Sequence, residues 1–322
     1  MRYFSAVSIL AACAIRGWFG RAAILLRERH PLWLHTPLAA LIYLGAAGSA
    51  PGSAPGGSDA AGLVPSTATA AGMVTVFCLF LVFRLSDELK DVATDRALFP
   101  HRPLPSGRVL RSDAMLMMGL AIATAIGLNA QRAPALLAVL LVVGYVLLLH
   151  FYLFIPRFLK AHPVLNLAVH NPVFAAIAFY AATAATALDE RALGSPEPSL
   201  VGLFVLSIWL PFLSWELLRK VARGTVRPDH DVYAPVLGRR GSLSIAVAAQ
   251  TLAFVSFLVL ATRLGLPAGA VSVALVGCLY AGFGYAAFAL APRRGAKRLK
   301  HSAEVFLACL PGGLTLGLVL AP

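Results

Sequence analysis

Three aspartates, Asp87, Asp91 and Asp95, recur in the sequence at intervals of four residues. On an α-helix, residues at this interval are rotated by about 40° and raised by about 6 Å from one to the next, so we predict that the three carboxylates share one face. Like charges at this spacing destabilise a bare helix and require a compensating cation. Carboxylate oxygens suit a hard cation, and Mg²⁺ is commonly held by a few carboxylates together with substrate phosphates. The spacing therefore predicts a magnesium site for a phosphorylated substrate.

A segment rich in proline and glycine, residues 100–108, follows the aspartates and predicts an irregular loop. Its Arg102 and Arg108 carry permanent charge and several donors, which suit phosphate oxygens. Two simpler interpretations stay open at this point. The aspartates could form a solvated helix end, and the two arginines could be the ordinary positive charge of a loop.

Acidic residues are concentrated in two segments of the chain. Seven of the 14 aspartates and glutamates lie in residues 84–112 and 216–241. In the second segment, Glu216 and Lys220 are four residues apart, which places a carboxylate and an ammonium group on adjacent turns of a predicted helix. The plain alternative is a helix ion pair that contributes only about 0.2–0.5 kcal/mol.

The composition indicates that membrane-spanning helices position these segments. The chain has 322 residues, 59% hydrophobic and 13% charged, with a mean hydropathy of +0.80, whereas a soluble domain is about 25% charged. This hydrophobicity excludes a disordered chain, and the four cysteines form no CxxC pair that would indicate a zinc site. A spanning helix needs about 20 mostly apolar residues. Nine segments are predicted to span: 34–50, 67–86, 113–130, 134–154, 164–188, 199–218, 242–262, 268–291 and 302–320.

Positive charge is distributed unevenly among the predicted loops. With the N-terminus inside, the inner segments hold 24 of the 27 lysines and arginines. By the positive-inside rule we predict a multi-pass protein of the cell membrane whose N-terminus and acidic segments are cytoplasmic. The same bias accounts for the net charge of +13 without a nucleic-acid partner. Residues 1–33 are predicted to be a cytoplasmic segment with an interfacial helix over 3–27, and a tenth span is the alternative.

The acidic motif and the loop after it carry a family resemblance. The run Asp87-x3-Asp91-x3-Asp95, followed by Arg102-Pro-Leu-Pro-Ser-Gly107, resembles the first signature of the UbiA family of intramembrane prenyltransferases. That family has nine spans, with acidic motifs after the second and the sixth, which is similar to the arrangement predicted here. Three departures concern charged positions. Asp87 occupies the usual asparagine position, Glu88 occupies the position of the usual aspartate after it, and Lys220 replaces the second carboxylate of an Asp-x3-Asp motif.

The resemblance implies an all-α bundle, a single domain over residues 1–322, and Mg²⁺-dependent transfer of a prenyl group. The donor would be a polyprenyl diphosphate, the acceptor an aromatic or other lipid precursor, and membrane lipids would surround the protein. The implied metal ligands are Asp87, Asp91, Asp95 and Glu216, and the implied catalytic set adds Lys220. The implied diphosphate contacts are Arg84, Lys90, Arg102, Arg108, Tyr152, Lys160 and Arg223. The implied acceptor pocket contains His170, Asn171 and Asp231.

A transporter or other ion-handling membrane protein is the alternative, because intramembrane carboxylates beside broken helices also form ion sites. A transport path should place ionisable groups near the middle of the bilayer, whereas these acids lie at predicted helix ends. Membrane alcohol phosphotransferases also use an Asp-x3-Asp motif, but the Asp-Gly-x2-Ala-Arg run that they carry is absent from this sequence. The sequence therefore favours prenyl transfer.

Overall fold

A computed structural model describes residues 17–48, 66–186, 197–226 and 233–320 of the chain. Within these ranges the protein is α-helical and contains no β-strand. The helices are α1 (17–29), α2 (Leu32–Gly48), α3 (Thr67–Lys90), α4 (Val92–Leu98), α5 (Arg111–Asn129), α6 (Ala133–His150), α7 (Pro156–Ala161), α8 (Pro163–His170), α9 (Val173–Thr186), α10 (Pro198–Val226), α11 (Ala234–Arg263), α12 (Ala268–Leu290) and α13 (Pro292–Leu320).

The predicted spans overlap these helices, and the α8–α9 pair corresponds to the span predicted over 164–188. Among the described residues, seven helical segments are long and apolar enough to cross a membrane: α3, α5, α6, α8 with α9, α10, α11 and α12. Helix α2 is apolar but shorter, and α13 begins with a basic stretch before its apolar half. The all-α, multi-pass membrane class is confirmed, and the count of nine spans stays a prediction.

Local sequence explains where several helices begin and break. Ser66 caps α3, since its hydroxyl accepts a hydrogen bond from the backbone N–H of Thr69 at 3.0 Å. Helix α5 begins at Arg111, and the Asp113 side chain accepts a hydrogen bond from the Leu110 N–H at 2.9 Å. Proline removes an N–H donor and favours first-turn positions, and α6, α7, α8 and α11 each carry proline there.

The first and last large helices, α2 and α13, pack against each other and so complete the bundle. Helix α2 packs against α3 and α13, and α13 packs in turn against α10 and α12. Helix α9 lies against α2, α3, α6 and α10. The largest fully buried side chains include Tyr43, Tyr180, Phe204, Phe257 and Phe306, which fill the interior between these helices. This packing places α13 beside α10 although the two are distant in sequence.

One end of the bundle gathers the acidic and basic residues, and we refer to it as the motif end. It contains α1, the end of α3, α4 with the loop after it, the end of α10 and the beginning of α13. Residues from four of these parts line a common cavity, and Arg29 of α1 pairs with Glu88 of α3. The predicted site residues whose contacts are described below lie at this end or in the helices just beneath it.

Candidate active site

The aspartate row spans a break between two helices. Helix α3 ends at Lys90, Asp91 has φ −94° and ψ 2°, and α4 begins at Val92. The prediction of one uninterrupted helical face is therefore corrected. The turn spacing is nevertheless kept, because the Asp91 N–H donates to the Asp87 carbonyl at 3.0 Å and the Asp95 N–H donates to the Asp91 carbonyl at 2.8 Å. Each carboxylate has its own side-chain partner.

Asp87 forms a three-membered polar contact with Lys90 and His170. Its Oδ1 lies 2.7 Å from the Lys90 Nζ and 3.0 Å from the His170 Nε2. The Lys90 Nζ is also 3.0 Å from the His170 Nε2. His170 ends α8, so this contact connects α8 to the end of α3. Two residues predicted for different substrates, Lys90 and His170, thus meet on one carboxylate.

Asp91 has a neutral partner. The Tyr152 hydroxyl donates a hydrogen bond to the Asp91 Oδ1 at 2.9 Å. The ammonium groups of Lys90 and Lys160 lie 5.1 Å and 5.0 Å from the centre of the Tyr152 ring, within reach of a cation–π interaction. Burial raises the pKa of Asp91, and the neighbouring Asp87 carboxylate raises that pKa further. Asp91 is therefore a partly buried anion that lacks a direct ion pair among the described residues and has two cations nearby.

The backbone that presents Tyr152 is strained. Tyr152, Leu153 and Phe154 have φ values of 51°, 49° and 63°, in the left-handed region. For residues other than glycine this conformation costs about 1–2 kcal/mol each, and such strain is concentrated at functional sites. The turn between α6 and α7 is held in this form, and it places the Tyr152 hydroxyl on Asp91.

Asp95 is buried and paired within its own motif. Its Oδ2 accepts a hydrogen bond from the Arg102 guanidinium, and the Arg102 Cζ lies 3.8 Å from the centre of the Phe99 ring. The predicted loop arginine therefore neutralises the third aspartate directly. This contact also brings the loop after α4 back onto the helix.

In the second motif, Glu216 pairs with Arg219 and not with Lys220. The Arg219 guanidinium also lies 4.8 Å from the Trp215 ring. The simple alternative of a Glu216–Lys220 helix pair is therefore not the arrangement observed. Lys220 is half-buried and has no ion-pair partner among the residues that the structure describes. Its charge is available to a ligand.

Two of the predicted diphosphate contacts are occupied by other ion pairs. Arg84 pairs with the buried Glu88, which also contacts the Arg29 guanidinium of α1 at 2.6 Å. Arg108 pairs with Glu28 of α1 at 2.6 Å, and this contact lowers the pKa of the exposed Glu28 carboxyl. The sequence analysis gave Glu88 no role beyond its place in the acidic motif, and it gave Arg29 none. These pairs attach α1 to the motif end.

The predicted acceptor residues separate in the structure. His170 contacts Asp87, as described above. Asn171 is buried, and its Oδ1 accepts a hydrogen bond from the Trp209 Nε1 at 2.8 Å. This bond fastens the α8–α9 break to α10. Asp231 lies outside the described residues.

Arg102 and Arg223 contribute to an open, basic cavity of about 690 Å³. We call it the basic cavity, and its lining side chains are Glu28, Arg29, Phe99, His101, Arg102, Ala222, Arg223, Ala296, Lys297 and Lys300. Lys297 and Lys300 were counted in the sequence only as positive loop charge. Their spacing of three residues at the start of α13 is the signal that places both on one helix face.

The carboxylates at the motif end do not form a preassembled metal cluster. Among the described residues, no group of three or more histidine, cysteine, aspartate or glutamate side chains lies close enough to hold an ion. The donor chemistry still fits Mg²⁺, which prefers oxygen ligands and is often bound by one or two carboxylates completed by substrate phosphates. Asp91 fits this mode best, because its partner is a neutral hydroxyl.

A multi-pass helical membrane protein with carboxylates and cations gathered at one end is the class that the fold and site define. The profile of the UbiA prenyltransferase family matches residues 38–310. That range includes both acidic motifs, α6 to α12 and most of α13. The chain therefore belongs to the UbiA prenyltransferase family.

Two solved structures share the fold at low sequence identity. A structure of digeranylgeranylglyceryl phosphate synthase is 12% identical, with a TM-score of 0.64 over 94% of this chain and 99% of that chain. The apo structure of a UbiA homolog from Aeropyrum pernix K1 is 20% identical, with a TM-score of 0.65 over 89% of this chain and 97% of that one. A comparison with curated proteins gave no match.

Proposed function

We propose that this protein transfers a prenyl group from a polyprenyl diphosphate to an aromatic or other lipid-precursor acceptor within the membrane, with Mg²⁺ as cofactor. Membership of the family supports prenyl transfer in general. The observation that supports a working diphosphate site is the surroundings of Asp91. This carboxylate has a neutral partner in Tyr152, and Lys90 and Lys160 lie on the same ring. Carboxylate and ammonium groups side by side suit a metal diphosphate.

The residues that would hold Mg²⁺ are Asp91 together with Asp87 or Asp95, and Glu216 on the opposite motif. When bound, the ion would neutralise negative charge on the leaving diphosphate. Lys160 and Lys220 would donate hydrogen bonds to the phosphate oxygens. Such charge-assisted hydrogen bonds are stronger than neutral ones.

The proposed reaction breaks the C–O bond between the allylic carbon and the diphosphate, and the electron pair leaves on the diphosphate oxygen. The acceptor then supplies an electron pair to the allylic carbon and loses a proton. Phe83 lies one turn before Asp87 on α3, its ring centroid is 5.3 Å from that of Phe174, and Phe212 stacks on Phe174 at 4.0 Å. Aromatic faces attract a cation, and a closed apolar wall keeps water from it.

We place the motif end on the cytoplasmic side of the cell membrane, because the lysines and arginines are concentrated in the segments that meet there. A water-soluble phosphorylated headgroup would then reach the site from the cytoplasm while its apolar chain lies between helices. The transport alternative lacks a supporting contact, since the acids described here lie at helix ends and each has a partner from the chain.

The test is release of diphosphate by the full-length protein, purified in detergent and supplied with geranylgeranyl diphosphate and MgCl₂. We expect release with Mg²⁺ and none with EDTA. Asp91→Asn should reduce the rate by about a hundredfold or more, because it removes a metal-binding charge. Glu197→Gln is the matched control, since Glu197 is exposed and remote from the motif end.

Folding of each variant is checked by size-exclusion elution and melting temperature. Near-normal turnover in a folded Asp91→Asn protein would refute the assignment of Asp91 to the metal site. Absence of metal-dependent release in the wild-type protein, across prenyl diphosphates of different chain length, would refute prenyl transfer itself.

A further inference from the structure

We infer that the basic cavity binds the phosphate-ester headgroup of the acceptor lipid, directly and without a metal ion. This inference rests on the proposed function and specifies its second substrate. It concerns a site that is distinct in composition from the surroundings of Asp91. The contacts, charges and size of the cavity support it as follows.

Five cationic side chains from four separate parts of the chain line the cavity. They are Arg29 of α1, Arg102 of the loop after α4, Arg223 of α10, and Lys297 and Lys300 of α13. The positive-inside rule explains basic loops, but it does not explain why helices distant in sequence direct cations to one cavity. Cations held close together repel one another, and nearby anions relieve that repulsion.

Among the described residues, the carboxylates near the cavity pair with some of these cations and not with all of them. Glu28 is the acidic side chain in the described lining, and it pairs with Arg108. Arg29, Arg102 and Lys300 pair with Glu88, Asp95 and Glu304 respectively. Arg223 and Lys297 have no ion-pair partner among the described residues. Within the described part of the chain, two cavity cations therefore lack an ion-pair partner, and their summed charge equals that of one phosphate monoester dianion.

The cavity lacks the features of a metal-diphosphate site. Asp87, Asp91, Tyr152 and Lys160 are not among its lining residues. Asp95 is not among the lining residues either, and its carboxylate is already paired with Arg102, which is one of them. A ligand in the basic cavity would therefore be held by guanidinium and ammonium groups, and the Arg102–Asp95 pair would connect it to the aspartate row.

The volume and the apolar lining residues of the cavity fit a headgroup attached to a lipid. Its volume of about 690 Å³ lies within the range of small-molecule sites. Phe99, Ala222 and Ala296 supply apolar surface beside the cations. An acceptor whose phosphate binds here could extend its chain along the helices toward the donor. The ligand class that suits all of these properties is a phosphate monoester that carries an apolar chain, and glycerol phosphate is a water-soluble probe of its headgroup.

The experiment measures binding of glycerol phosphate to the purified full-length protein in EDTA, by isothermal titration. Lys297→Gln/Lys300→Gln removes two cavity charges. Arg293→Gln/Arg294→Gln removes two exposed charges from the same helix outside the cavity and is the matched control. We expect saturable binding that the cavity variant weakens about tenfold or more and the control changes less than about twofold. Size-exclusion elution and melting temperature confirm that both variants are folded.

Two further arms identify the source of the phosphate. Geranylgeranyl S-thiolodiphosphate, an unreactive donor analogue, is titrated with Mg²⁺ in the presence of saturating glycerol phosphate. We expect both to bind together, and the cavity variant to bind the analogue normally. In nanodiscs, phosphatidylglycerol added to phosphatidylcholine should leave glycerol phosphate binding unchanged.

Displacement of glycerol phosphate by the donor analogue would overturn the inference, because the cavity would then be part of the donor site. Loss of binding in phosphatidylglycerol nanodiscs would overturn it in favour of a bilayer lipid. Absence of saturable, metal-free binding would overturn it outright. These outcomes are separate from the proposed function, which fails only if diphosphate release from the donor fails.

Discussion

At the residue scale, the carboxylates of the aspartate row differ in the charge of their partners. Asp87 contacts Lys90 and His170, and Asp95 contacts Arg102, whereas Asp91 contacts the neutral Tyr152. A carboxylate already paired with a cation gains less from a second one. Asp91 is therefore the aspartate of the row whose charge a metal ion would stabilise most, and the Tyr152 hydroxyl is the group that stabilises its charged form in the protein.

We predict that Tyr152→Phe moves the acidic limb of the kcat/KM profile to higher pH. The Tyr152 hydroxyl stabilises the charged form of Asp91, so its removal raises a pKa that burial already raises. The carboxylate is then protonated at a higher pH, and activity that needs the anion is lost there. Tyr145→Phe is the control, because its hydroxyl donates to the Val169 carbonyl instead. A Tyr152→Phe profile that overlays the wild type would contradict the role given to this hydrogen bond.

Lys220 is predicted to do electrostatically what a second metal ion does in relatives with an Asp-x3-Asp motif. Lys220→Gln should weaken donor binding by about tenfold, since hydrogen bonds to charged groups contribute about 1.5–3 kcal/mol. Lys220→Asp should bind poorly at low Mg²⁺ and be partly rescued at high Mg²⁺, because it restores the second carboxylate. Donor KM is measured across Mg²⁺ concentrations, with Arg240→Asp as an exposed control at the same end. An unchanged KM and Mg²⁺ dependence would assign Lys220 a structural role.

At the element scale, helix ends and breaks carry the site. Asp91 lies between α3 and α4, His170 ends α8, and Tyr152 lies in the strained turn before α7. The Asn171–Trp209 hydrogen bond secures the α8–α9 break against α10. The side chains with chemistry are thus attached to rigid helices at positions where the helical hydrogen bonding changes.

The position of α13, and with it Lys297 and Lys300, depends on close packing against α12. A Cβ on Gly284 would lie 1.9 Å from the Ser302 Oγ and 2.5 Å from its Cβ, whereas a Cβ on Gly282 would have nothing within 4 Å. We predict that Gly284→Ala lowers the melting temperature, because overpacking costs about 1–3 kcal/mol. Gly282→Ala should leave it unchanged, and Ser302→Gly should restore the Gly284→Ala protein. Equal melting temperatures for the two alanine variants would contradict this packing.

At the scale of the whole molecule, contact between the first and last large helices creates the motif end. Helix α2 packs on α13, and α13 packs on α10. As a result, α1, α3, α10 and α13 meet at one end although they are spread over the whole chain. The basic cavity and the surroundings of Asp91 are then neighbours, linked by the Arg102–Asp95 pair.

We predict that this end faces the cytoplasm. In a background with the four native cysteines replaced, Ser58→Cys should react with a membrane-impermeant maleimide added to intact cells. Ser106→Cys, next to Gly107, should react only after the cells are permeabilised. The cysteine-free parent controls for background labelling. The reverse pattern would refute both the orientation and the cytoplasmic location of the site.

The class of the protein and the spacing of its acidic motif follow from short stretches of the sequence. Long apolar segments must form helices in a bilayer, because unpaired backbone groups are too costly there. The four-residue interval between Asp87, Asp91 and Asp95 likewise predicted that the three lie on neighbouring helical turns. The backbone hydrogen bonds of those turns are present, although the helix breaks at Asp91. Both properties depend on residues close together in the chain, so the sequence alone is sufficient to predict them.

The tertiary structure is needed to know which charged residues form ion pairs and which remain available to a ligand. Glu88 accepts a hydrogen bond from Arg29, which is 59 residues away in the sequence, and Asp91 accepts one from Tyr152, which is 61 residues away. Arg84 and Arg108, expected to bind diphosphate, are committed to ion pairs with Glu88 and Glu28. The basic cavity requires α1, α10 and α13 to converge. Such contacts depend on how distant helices pack, and no local spacing encodes that packing.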